Sequence, residues 1–73
     1  MAKKLTKKEG IVNGVIVKAN EWSKGTAKRI YFKCGAGGNL GNACYDLVKG
    51  EFIKVHGQVG PVFKEGIEKE FLG

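Results

Sequence analysis

The 73-residue chain carries 13 Lys and Arg against 7 Asp and Glu, a formal charge of +6, and 42% of it is hydrophobic. A chain this short buries only about 60% of the surface its unfolded state exposes, which allows one marginal core but no second domain or deep catalytic cleft. It has no run of about 18 apolar residues to span a bilayer and no apolar h-region behind its charged N-terminus. An intracellular protein, in the cytoplasm or nucleoid and without membrane contact, is expected.

The positive charge is concentrated. Residues 1–33 hold nine cations (Lys3, Lys4, Lys7, Lys8, Lys18, Lys24, Lys28, Arg29, Lys33) against Glu9 and Glu21, whereas residues 34–73 hold four cations against five acids. Such polarity attracts polyanions to one part of the molecule. A basic surface that merely keeps the protein in solution is the plainer alternative.

In chain order, residues 1–9 read as a flexible basic arm and residues 10–73 as one folded domain. Ile11 to Val17 is rich in β-branched residues, which favour strands, and Gly14 within it suggests a bulge or sharp coil. Asn20 to Gly25 reads as a turn. Thr26 to Cys34 is the clearest strand: Ile30, Phe32 and Cys34 fall on one face, and Arg29, Tyr31 and Lys33 on the other. Four glycines within Gly35–Asn42 predict a long, mobile connection. Ala43 to Val48 suits either a short strand or one helical turn. Phe52 to Val59 reads as a strand with Ile53, Val55 and Val59 inward and Phe52, Lys54 and His56 outward. Val62 and Phe63 start a short strand, and Ile67 to Leu72 forms a last one at a sheet edge, near Phe71, where a second copy could pair to give a homodimer. The predicted fold class is all-β, a small barrel of four or five strands with little helix.

The outward row Arg29, Tyr31, Lys33 suits single-stranded nucleic acid, because bases stack on aromatic rings while interleaved cations follow the phosphates. Trp22 beside Lys24 offers a second platform, and Phe52, Lys54 and His56 a further row. The candidate binding residues are therefore Trp22, Lys24, Lys28, Arg29, Tyr31, Lys33, Phe52, Lys54 and His56. The alternative assigns Tyr31 and Phe52 to the end of the barrel and Trp22 to the core.

Other chemistries fit poorly. Gly35, Gly37, Gly38 and Gly41 do not follow a dinucleotide-binding spacing, and no Lys-Ser or Lys-Thr follows to complete a P-loop. Cys34, Cys44, His56 and Asp46 lack zinc spacing, so neither metal nor cofactor is expected. Two cysteines are too few for a secreted disulfide scaffold; free thiols are expected, with a Cys34–Cys44 bridge as the alternative. One histidine, one serine and one aspartate, with no spacing that unites them, argue against an enzyme.

The stretch Val48-Lys49-Gly50-Glu51-Phe52-Ile53-Lys54-Val55-His56-Gly57-Gln58-Val59 resembles the late strand of OB-fold single-stranded DNA-binding proteins, with its Lys-Gly turn and alternating apolar residues. The chain departs from that family in its short length and in having no clear helix between the third and fourth strands. The resemblance implies an OB-like barrel that binds single strands, DNA slightly ahead of RNA, without catalysis and with little sequence preference. A protein-interaction module or inhibitor presenting a basic face to an acidic partner, and an SH3-like duplex-binding barrel, are the rival readings.

Overall fold

The computed structural model describes residues 4–72. Five antiparallel strands, β1 (Glu9–Val12), β2 (Val15–Lys24), β3 (Ala27–Cys34), β4 (Gly41–Asp46) and β5 (Glu51–Gly57), are followed by a helix, α1 (Pro61–Phe71). The strands lie in their sequence order in one sheet. The protein is thus β-rich, but the sheet is an open meander that does not close into a barrel, and its edges are β1 and β5.

The hairpins follow from local chemistry. Asn13 and Gly14 both take positive φ, 50° and 77°, as a two-residue type I′ turn requires; Asn-Gly is the dipeptide that accepts this most readily. The run Ile11–Val17 is therefore two strands joined by a turn, not one bulged strand. Asn20 to Lys24, expected as a turn, continues β2, and the chain reverses only at Gly25, with φ 61°. The glycine-rich connection is compact: a 3-10 turn over Ala36–Gly38 is tied down by Gly35 N–H donating to the Ile16 carbonyl at 2.7 Å and Leu40 N–H to Cys34 at 3.0 Å.

One face of the sheet is the core face. Val12, Val17, Ala19, Ile30, Phe32, Cys34, Ala43 and Tyr45 are buried there against Val59, Ile67, Phe71 and Leu72. Phe71 meets Phe32 edge-on, with ring centroids 5.4 Å apart. The segment expected to hold two short strands is instead α1. Pro61 pre-sets φ in the first turn, and Phe63, Ile67 and Phe71 recur at spacings of four, which places them on one helical face. The strand edge expected near Phe71 does not exist, because Phe71 is a buried helical residue. No helix among the described residues is long and apolar enough to cross a membrane.

The stretch read as a free arm is partly docked; Met1 to Lys3 lie outside the described residues. Leu5 bridges to Leu72 and packs half-buried against the core. The Thr6 amide and hydroxyl both donate to the Phe71 carbonyl, at 2.8 and 2.9 Å, satisfying a group that the end of the helix leaves open. Lys7 Nζ reaches Glu70 Oε2 at 2.7 Å, and β1 begins at Glu9. Deleting residues 2–8 is therefore expected to cost about 1–3 kcal/mol: each such hydrogen bond contributes about 0.5–1.5 kcal/mol, and half-burial of a leucine side chain adds about 1 kcal/mol. A urea denaturation midpoint unmoved by the deletion would show that the segment is not part of the fold.

Candidate nucleic-acid interface

The sheet face opposite α1 is built by register. Cross-strand partners share a face, with Cβ atoms about 4.5–5.5 Å apart, so the pairings define rows that run across β2, β3, β4 and β5. The first is Lys18, Lys33, Asn42, His56; the second is Asn20, Tyr31, Cys44, Lys54; the third is Trp22, Arg29, Asp46, Glu51. Lys24 extends β2 beyond the third row, opposite Ala27. Tyr31 and Trp22 are 42% and 39% exposed, whereas Ile30, Phe32 and Cys34 beneath are fully buried, which is the alternation expected for β3.

The acids of this face lie at its margins. Glu9 sits on the β1 edge opposite Lys18, and Asp46 and Glu51 form the end of the third row. Asp46 Oδ1 accepts from Val48 N–H at 2.8 Å and Lys49 N–H at 3.0 Å, fixing the β4–β5 turn. Its carboxyl is held below the ordinary aspartate value by the Lys49 amide first, then the Val48 amide and the Arg29 guanidinium, against a contrary push from burial. A depressed carboxyl stabilises the fold above the pKa it has when unfolded. That contribution fades as pH falls through the lower folded value. Stability is thus expected to drop with acid below the ordinary aspartate range, and the drop should be shallower in Asp46→Asn; equal acid slopes in the two proteins would contradict this.

Arg29 is already engaged. Its guanidinium carbon lies 5.3 Å from the centre of the Trp22 ring, and Nε is 3.9 Å from Asp46 Oδ2. It covers one side of Trp22, which leaves Tyr31 as the freer platform.

Between β3, β4 and β5 the face sinks into a concavity of about 440 Å³, lined by Tyr31, Lys33, Asn42, Cys44, Lys54 and His56, with Phe32 and Ala43 below. It exists because short side chains at Asn42 and Cys44 are flanked by long ones. Burial pushes the Cys44 thiol above its ordinary value, opposed more weakly by Tyr31, Arg29 and Lys54. Cys34 and Cys44 are both free and face opposite sides of the sheet, so the geometry assembles neither the bridge nor the cysteine pair of a metal site.

Of the nine candidates, the structure brings Trp22, Lys24, Arg29, Tyr31, Lys33, Lys54 and His56 to this one face. Lys28 does not join them: it pairs with Ser23 on the helix side of the sheet, near Glu21 and Leu47. Phe52 does not either. A bulge opposite Cys44 and Tyr45 inserts Ile53 as an extra residue, which turns Phe52 inward against Tyr45, with centroids 5.0 Å apart, while Lys54 and His56 stay outward. Lys18 and Asn42 belong to the face and escaped the sequence reading. Lys18 was traceable, since it keeps period two with Trp22 and Lys24 once β2 is recognised as continuous.

No protein-family model, curated protein or solved structure matches this chain.

Proposed function

We propose that the protein binds single-stranded nucleic acid, DNA slightly ahead of RNA, on the open sheet face and acts without catalysis. The observation that carries the reading is Tyr31, exposed in the middle of the face and flanked by Lys18, Lys33 and Lys54 with acids only at the margins. A stacked base gains about 1–3 kcal/mol on such a ring, and lysines neutralise the backbone on either side. The likeness to OB-fold proteins enters as this binding mode, bases laid on a sheet, and does not need a closed barrel. Splayed, unpaired bases suit an aromatic platform better than a duplex does, since duplex bases are already stacked on one another.

An acidic protein partner needs the charge but not the aromatic ring. The two readings separate on oligo-dT titration at moderate salt, with Trp22 fluorescence as the signal. Quenching is expected, and log K should fall against log[salt] with a slope of about −3 if four lysines meet phosphates, at about 0.7 per phosphate. Unchanged fluorescence together with no detectable complex by an independent method would overturn the proposal.

A further inference from the structure

The concavity beside Tyr31 has a chemistry more specific than a stacking surface. Two of its polar groups, the Lys33 and Lys54 ammonium groups, can only donate, and they flank the Asn42 amide and His56 opposite it on the neighbouring strand, which both donate and accept. None of its lining residues is an acid. Asp46 and Glu51 lie one row away, and Asp46 Oδ1 is taken by the backbone amides of Val48 and Lys49. A base whose edge faces Lys33 and Lys54 would meet two groups that donate and cannot accept in return.

The bases differ on this point. At the 4-position of pyrimidines and the 6-position of purines, thymine, uracil and guanine present a carbonyl oxygen that accepts, whereas cytosine and adenine present an amine that donates. An amine facing two ammonium groups leaves donors opposed to donors, and a buried polar group without its partner costs more than the matched hydrogen bond contributes. We propose that this concavity is a base-reading subsite that selects keto bases over amino bases, so that the protein prefers thymine-, uracil- and guanine-bearing single strands. This rests on the single-strand reading above and adds a sequence preference to it.

Uracil and cytosine give the sharpest comparison, because they match in size and differ at the 4-oxygen against the 4-amine and in the proton at N3. Affinities for dU12 and dC12 are measured by fluorescence anisotropy with the full chain, at one salt concentration, for the native protein and for Lys54→Met and Lys33→Met. The expected result is dU12 bound at least fivefold more tightly than dC12, with the ratio falling toward one in each variant even as overall affinity drops. The ratio matters because loss of a phosphate contact weakens both oligonucleotides alike. Equal and measurable affinity of the native protein for dU12 and dC12 would overturn the subsite and leave the single-strand reading standing. A preference that persists undiminished in both variants would overturn it too, by placing discrimination elsewhere. Failure to bind either oligonucleotide would remove both proposals together.

Discussion

Phe32→Ala is expected to unfold the protein, while its neighbour Tyr31→Ala leaves it folded but weakens its hold on a single strand. Phe32 is fully buried and its ring meets both Phe71 of α1 and Phe52 of β5, so it joins the helix to two parts of the sheet. Truncating such a phenylalanine costs about 3–5 kcal/mol, comparable to the whole stability of a chain this size at about 0.05–0.15 kcal/mol per residue. Tyr31, one position along, stands on the opposite face. Its truncation should cost about 1–3 kcal/mol of binding with little change in denaturation midpoint, and Tyr31→Phe should bind almost normally because stacking uses the ring. Circular dichroism melts and oligo-dT titrations on the three variants check this. Tyr31→Ala melting far below the native protein while Phe32→Ala stays folded would mean that β3 sits one residue out of register.

The second large effect is at Gly66. In the interior of an exposed helix, glycine to alanine stabilises by about 1 kcal/mol; here the sign is expected to reverse. Gly66 lies where α1 rests on β1, and a Cβ built there would stand 2.5 Å from Val12 Cγ1. Val12 is buried and its branched side chain is stiff at χ1, so the contact cannot relax by an easy side-chain swing. Overpacking of this kind costs about 1–3 kcal/mol. Gly66→Ala is thus expected to lower the urea midpoint, and Val12→Ala, destabilising by itself, should restore much of the loss when combined with it. A double-mutant cycle measures that coupling; additive effects would show that helix and strand do not meet through this pair.

How much of this was legible depended on whether period two ran unbroken. In β3 it did, and the buried Ile30, Phe32 and Cys34 and the exposed Tyr31 and Lys33 were all readable. In β5 one inserted residue, Ile53, reversed the face of everything before it, so Phe52 was misassigned while Lys54 and His56 were not. A bulge depends on the partner strand and leaves little trace in the strand that carries it. The helix did leave a trace. Phe63, Ile67 and Phe71 recur every four residues behind Pro61, but Lys64-Glu65-Gly66 has the composition of a turn. Its glycine is there for the close approach to Val12, not to reverse the chain. The barrel expectation leaned on the number of short strands, and strand count does not distinguish a closed sheet from an open meander with a helix over one face.

The meander order also sets how the chain assembles. Every strand pairs with its immediate neighbour in sequence, so the sheet can grow hairpin by hairpin through short loop closures on the microsecond scale. The docking of α1, which sets Phe71 against Phe32, and the ties of Leu5, Thr6 and Lys7 to Leu72, Phe71 and Glu70 bring together residues far apart along the chain, and such non-local steps carry the larger closure entropy. Assembly in that order would complete the surface that holds Tyr31 and its lysines before the helix docks. In such an interval the opposite surface would expose Phe32, which the helix residue Phe71 otherwise covers, and an exposed apolar face favours self-association.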